Sequence, residues 1–358
     1  MLLIIADYPN EMNMREGAMQ RIDAIDSLIR DRKRVYLNIS FKKHLVRSNS
    51  SFNNVIVENL NAIIHRNIIK QYMQKSTTIY VHSVYNLLKV ITLIDLKKTI
   101  LDIHGVVPEE LLADNKKLLS KVYNMVEKKG VLGCKKLIHV STEMQKHYEA
   151  KYEAKYGVNL AERSIVLPIF EYKNITQSQN KWTENKIRSI YLGGLQTWQN
   201  IDKMIQICDD TVINNEAGKY EFNFFIPQSN LEGFIDKYSL KLHNINANAS
   251  TLSRDEVIPF LKECHIGFVL RDDIIVNRVA CPTKLVEYLE CGVVPVVLSP
   301  LIGDFYSMGY QYITTEEMAN RSISLLDLEK MAAHNLQILT SYQKRTYKAQ
   351  KELIAQLC

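Results

Sequence analysis

The chain contains no run approaching the 18 or so apolar residues of a membrane span, no closely spaced pair of cysteines, no low-complexity tract and no internal repeat at short period. Each absence removes a class of protein. The first argues against a helical transmembrane protein. The opening Leu2-Leu-Ile-Ile5 is too short for the apolar region of a signal peptide and lacks a basic start, so a cytoplasmic location is expected. The six cysteines (Cys134, Cys208, Cys264, Cys281, Cys291 and Cys358) are scattered, which argues against a disulfide framework or a zinc site and for reduced thiols, several of them serving as small apolar fillers. No recognised nucleic-acid motif accompanies the basic residues, so nucleic acid is not the expected partner.

What is present is an ordinary globular composition, 46% hydrophobic and 23% charged, over 358 residues. That length accommodates two α/β domains, each with its own core. Short β-rich runs alternate with longer helical patterns, the mark of parallel sheets with crossover helices. The first half offers strands near Leu2 to Tyr8, Arg34 to Ile39, Asn54 to Glu58, Thr78 to His82, Thr99 to Ile103, Leu137 to Val140 and Ser164 to Pro168. A polar stretch nearly free of aliphatic residues follows, and a second set comes after it at Ser189 to Leu192, Glu221 to Ile226, His243 to Ala247, Ile266 to Leu270, Val293 to Leu298 and Gln311 to Thr314. The expected organisation is an N-terminal Rossmann-like domain over 1–170, a linker over 171–187, a second Rossmann-like domain over 188–335 and a helical tail over 336–358.

Charge divides unevenly between these halves. Residues 1–170 carry a net +9 and the remainder −3. One basic cluster spans Arg30 to Arg47. Another, Lys116 to Lys136, interleaves Lys117, Lys121, Lys128 and Lys129 with Leu118, Leu119, Val122, Met125 and Val126. This second pattern fits either an amphipathic helix on an anionic membrane surface or a solvated basic helix packed on its own domain.

In open α/β sheets ligands lie beyond the carboxyl ends of the strands, so residues just after strands are the candidates for chemistry. His104 ends one strand and is followed by Gly105, which lets the backbone approach a ligand closely. His82 ends another, and Gly17 with Arg21 follows the first. In the second half Gly193-Gly194 permits a tight turn. The stretch Asn277 to Val297 carries the most information. Pro282, Thr283 and Lys284 open a helix whose unpaired N–H groups attract phosphate, Gly292 stops it, and Val293 to Val297 is a β-branched run. Glu287 lies three residues after Lys284 on the same helix face, a spacing that serves a ligand site or an ordinary surface ion pair equally well.

Pro282-Thr-Lys-Leu-Val-Glu-Tyr-Leu-Glu-Cys-Gly292 resembles the Pro-x-Lys-x-x-Glu-Tyr-Leu-x-x-Gly segment of family four retaining glycosyltransferases of the bacterial surface-polysaccharide type. Asp102-Ile-His-Gly105, Val140-Ser141, Pro168 and Tyr191-Leu-Gly-Gly-Leu-Gln-Thr-Trp-Gln199 match in the same order along the chain. The resemblance implies the GT-B fold of two facing Rossmann-like domains, with the last helix returning to the N-terminal one. It also implies metal-independent hexosyl transfer from a nucleoside diphosphate sugar to a hydroxyl acceptor, with retention, and no cofactor. The lack of any Asp-x-Asp agrees with a metal-free donor site. By the same resemblance His104 contacts the donor sugar near its anomeric carbon, and Gly193, Gly194, Gln199, Arg271, Arg278, Thr283, Lys284 and Glu287 form the donor site, Glu287 on the ribose hydroxyls. Gly17, Arg21 and His82 fall on the acceptor side. A lipid-linked or oligosaccharide acceptor is expected, with the protein peripheral on the inner face of the membrane through Lys116 to Lys136. Two departures stand out. Gly194 and Gln199 replace the family's arginine and lysine, and Val279 replaces the first glutamate of its pair. They leave open a second reading, a non-catalytic GT-B subunit that partners an active transferase.

Overall fold

A computed structural model describes residues 1–10, 17–168, 180–216 and 218–357. The chain divides into two compact units, one made of Met1–Glu171, Arg278–Cys281 and Arg345–Cys358, the other of Tyr172–Asn277 and Pro282–Lys344.

The first unit is built on β1 (Leu2–Ile5), β2 (Arg34–Ser40), β3 (Ser48–Phe52), β4 (Val55–Asn61), β5 (Thr78–His82), β6 (Thr99–Ile103), β7 (Lys136–His139) and β8 (Ser164–Val166), in the order β3-β4-β2-β1-β5-β6-β7-β8. All pairings are parallel except that of β3 with β4. β1, β5 and β6 are buried almost end to end, as expected of parallel strands covered by helices on both faces. The exposed β3, SNSSF, was not foreseen; its polar composition carries no strand signal, and it is held at the sheet edge by β4. The helix Thr142–Tyr156 shows how local sequence sets an element's ends: the Ser141 hydroxyl accepts from the Met144 N–H at 3.0 Å, and Gly157 closes the other end at φ 63°.

The second unit carries β9 (Ile187–Leu192), β10 (Tyr220–Phe225), β11 (Ala247–Ser250), β12 (Ile266–Val269), β13 (Val294–Val297) and β14 (Ile313–Thr314), all parallel, in the order β11-β10-β9-β12-β13-β14. The strand expected at His243 to Ala247 is displaced, because the helix Gln228–Asn244 continues through His243 and β11 begins only at Ala247. The segment read as a linker is also partly structural. Residues 171–179 lie outside the described residues, but Lys181 is fully buried, and its ammonium donates to the carbonyls of Cys264, Cys291 and Gly292 at 2.7, 3.1 and 3.0 Å. Burial lowers its pKa to about 8. One long helix, Leu325–Leu357, supplies Leu328 and Ala332 to the second core and Leu353 and Leu357 to the first. Cys134, Cys208, Cys264, Cys281 and Cys291 are buried free thiols.

Candidate active site

Both sheets reverse their strand order once, the place where open α/β sheets bind their ligands. In the second sheet the reversal lies between β9 and β12. The turn after β9 carries Gly193, whose φ of 154° suits only glycine and whose missing side chain makes room for Lys284: a Cβ there would lie 2.8 Å from the Lys284 Nζ. Lys284 stands in the first turn of the helix Thr283–Glu290, with its Nζ 4.3 Å from the centre of the Tyr191 ring and 3.3 Å from the Gln199 Oε1. The Tyr191 hydroxyl donates in turn to the Gly194 carbonyl. Arg271 enters from the end of β12 and donates to Asn277 Oδ1 at 3.3 Å.

Burial together with the nearby Arg271 pulls the Lys284 pKa down to about 7, against a smaller opposing pull from Glu287, and burial lowers that of Arg271 as well. Two cations held close together at a helix start, each at an electrostatic cost, constitute an anion-binding arrangement. The structure therefore joins Gly193, Gly194, Gln199, Arg271 and Lys284, with Thr283 and Glu287 on the same helix. Arg278 differs: it falls in the Arg278–Cys281 segment that belongs to the first unit. Pro282 caps the helix rather than occupying its first turn, and its carbonyl accepts from Leu285 N–H at 3.1 Å.

In the first sheet the reversal lies between β1 and β5. Because β5 and β6 are neighbours, their ends bring His82 and His104 together, with Nδ1 and Nε2 3.2 Å apart and each 3.3 Å from Asp102 Oδ2. Burial lowers the His82 pKa to about 4, so this imidazole is neutral. Its Nε2 is buried with no hydrogen-bond partner among the described residues. A bare lone pair is cheaper there than an orphaned N–H, which places the His82 proton on Nδ1, facing the carboxylate. Asp102 is itself clamped: against the burial that would raise its pKa, Arg21 and the two histidines hold it well below the usual carboxylate range. Tyr80 adds a hydrogen bond of 2.9 Å to Oδ2.

The three side chains His82, Asp102 and His104 have metal-ligand spacing, since their donor atoms lie within 4.8 Å of one another. They do not fit a cation. Both Asp102 oxygens already face the Arg21 guanidinium, whose charge would repel a metal ion. Arg21, expected on the acceptor side, is 1% exposed, and its remaining nitrogen donates to the carbonyls of Leu167 and Pro168 at 2.8 Å, so it supports the strand ends from beneath. Gly17 opens the helix Gly17–Ser27 on the surface. Ser83, directly after His82, adopts φ 71°, a strained conformation of the kind that collects at functional sites.

The sequence reading missed Glu110. Its carboxylate packs on Gly105, next to His104, so closely that a Cβ at that glycine would lie 2.1 Å from Oε1. Burial, reinforced by Glu109, Asp114 and Glu127, raises its pKa to about 7. The only signal available was a second glutamate in the first turn after the His-Gly pair.

The chain matches no protein-family model and no curated protein. It does resemble solved structures over nearly its full length. One, described as trehalose-6-phosphate from E. coli bound with UDP-2-fluoro glucose, has 12% identity and a TM-score of 0.66, covering 99% of this chain and 98% of that one. An α,α-trehalose 6-phosphate synthase from Burkholderia multivorans has 11% identity and 0.66, covering 100% and 98%. A sucrose-phosphate synthase from Thermosynechococcus elongatus has 11% and 0.64, covering 99% and 97%. The fold is GT-B. At these identities the likeness speaks for the GT-B architecture alone, and the chemistry rests on the residues.

Proposed function

We propose that this GT-B protein is a retaining glycosyltransferase that moves a hexosyl group from a nucleoside diphosphate sugar to a hydroxyl acceptor. The observation that carries the reading is Lys284 packed on the Gly193 turn at the second sheet's reversal point, with Arg271 near enough to lower its pKa. There they replace, from other positions in the chain, the arginine and lysine that Gly194 and Gln199 do not supply. The E. coli neighbour is described with a nucleotide sugar bound, which agrees with a donor of this class.

In the reaction the bond from the anomeric carbon to the diphosphate breaks and a bond from that carbon to the acceptor oxygen forms on the same face. The acceptor proton passes to the leaving phosphate, so no protein base is assigned. Lys284, Arg271 and the helix start stabilise the charge that develops on the diphosphate, and no metal takes part. Glu287 holds the ribose, and His104, oriented by Asp102, contacts the transferred sugar.

Two neighbours are named as synthases of sugar phosphates. For this chain we favour a lipid-linked or polysaccharide acceptor. The helix Lys117–Gly133 supports that choice, because it turns Leu118 (81% exposed) and Met125 (60% exposed) to solvent beside the exposed Lys117, Lys121 and Lys129. The test is incubation of the purified protein with a panel of nucleotide sugars, with and without lipid-linked acceptor. Acceptor-dependent release of nucleoside diphosphate is expected. Donor binding without turnover on any acceptor would favour the non-catalytic subunit, and no donor binding would overturn the proposal.

A further inference from the structure

The ends of β2 and β4 carry a second exposed apolar surface, outside everything used above. The loop after β2 shows Phe41, Leu45 (63% exposed) and Val46 (83% exposed), and the turn after β4 shows Ile63 (71% exposed) and Ile64. These side chains are not on loose loops. Asn61 is buried and staples the two segments together: its Nδ2 donates to the carbonyls of Phe41 and Lys43 at 3.2 and 3.0 Å, while its Oδ1 accepts from the N–H groups of Ile63 and Ile64 at 3.0 and 3.2 Å. His65 fixes the turn by accepting from the Asn61 N–H at 2.9 Å. A buried amide thus fixes the backbone that carries Phe41, Ile63 and Ile64, and a fixed, exposed apolar surface of this kind marks an interaction site.

The charge around them says to what. Neither 41–47 nor 61–70 contains an acidic residue. Arg47 is paired with Glu58 at 2.7 and 2.8 Å, but Lys42, Lys43 and Arg66 are exposed beside the apolar group, with Arg66 donating to the Thr92 hydroxyl. Apolar side chains flanked by cations match the acyl boundary and headgroups of an anionic bilayer. We propose that this stapled surface is a membrane anchor, with Leu45, Val46, Ile63 and Ile64 seated at the acyl boundary and Lys42, Lys43 and Arg66 on anionic headgroups. It places the bilayer at the edge of the first sheet where strands end, the same edge as His82 and His104.

The test is flotation of the full chain with vesicles of phosphatidylcholine, with and without phosphatidylglycerol. The parent should float only with the anionic vesicles. Leu45→Ser with Ile63→Ser, at two exposed positions that leave the fold intact, should weaken that binding about tenfold or more at low and high salt alike. Lys42→Gln with Lys43→Gln should weaken it at low salt, with the deficit shrinking as salt is raised. Parent that does not float, that floats equally with neutral vesicles, or that is matched by the Leu45/Ile63 variant would overturn the proposal. So would a concentration-dependent dimer abolished by the same variant without any vesicle binding, since the occupant would then be a second copy. No nucleotide sugar is present in the assay, so its failure would leave the transferase reading standing, and a transferase with a soluble acceptor would leave this surface standing.

Discussion

Arg21 grips Asp102 along the whole edge of its guanidinium, Nε to Oδ2 at 3.0 Å and Nη2 to Oδ1 at 2.9 Å, with both side chains inaccessible to water. The pair joins the helix after β1 to the end of β6 and fixes the carboxylate on which His82 and His104 converge. Breaking a buried ion pair by removing one partner strands the other charge, at about 3–5 kcal/mol. Arg21→Met and Asp102→Asn should each lower stability by that order in denaturant unfolding. The double variant should cost clearly less than the sum of the two. Strict additivity would show that the pair does not act as a unit.

Glu110 makes a prediction of the opposite sign. Its folded pKa of about 7 lies above the ordinary glutamate value of 4.5, so between these values the folded protein binds the proton more tightly than the unfolded chain does. Stability contributed by the protonated group is present below 4.5 and is lost as pH rises toward 7. Glu110→Gln, which keeps the shape and removes the charge, should therefore raise the thermal midpoint above pH 7, and the advantage should vanish below about pH 4.5. A variant whose advantage did not change with pH would place the carboxylate in an ordinary solvated environment.

How far this was legible from the sequence differs between the sheets and the site. The strands Thr78 to His82 and Thr99 to Ile103 were fixed to the residue by dense β-branched runs between polar segments. The polar β3 was not, because only pairing with β4 makes it a strand. Near His243 the helix from Gln228 runs on to Asn244 and turns only at Ile245 and Asn246, where Asn246 adopts φ 50°, so the strand starts later than the sequence suggests. At the site, His82 and His104 could each be placed at a strand end, but their meeting depends on β5 and β6 being neighbours. The pairing of Arg21 with Asp102 spans 81 residues and leaves no local trace, so Arg21 read as a free ligand for the acceptor. Arg271 and Lys284 could be named from the sequence as cations for the site that Gly194 and Gln199 leave without them, but that Arg271 stands close enough to lower the Lys284 pKa depends on the ends of β9 and β12 being neighbours.

Lys284 should make donor binding sensitive to pH. In the free protein its pKa is about 7, and a bound diphosphate favours the ammonium, so binding above pH 7 must take up a proton. Affinity for a nucleoside diphosphate should be level below that point and fall as pH rises through it, by as much as about tenfold per unit. Calorimetric titration in buffers of different ionisation heat at about pH 8 should register the uptake. Lys284→Met should bind weakly with a flat profile. A flat profile in the parent would mean that this lysine does not meet the phosphates.

Glu287 acts on the donor in two ways that one experiment can separate. Its charge opposes the lowering of the Lys284 pKa, and its carboxylate is the proposed acceptor of hydrogen bonds from the ribose hydroxyls. Glu287→Gln removes the charge while keeping the shape. Losing a charge-assisted bond to the ribose costs about 1.5–3 kcal/mol, which weakens nucleoside diphosphate binding about tenfold to hundredfold. The effect on Lys284 would instead move the pH at which affinity falls, and it would do so for any diphosphate. A 2′,3′-dideoxynucleoside diphosphate has no hydroxyls to offer, so it should bind the parent and the variant with similar affinity well below pH 7, under the lower Lys284 pKa of the variant, where the lysine is charged in both. If the variant lost the same factor on both ligands, Glu287 would act only through the lysine, and the ribose would have to be held elsewhere.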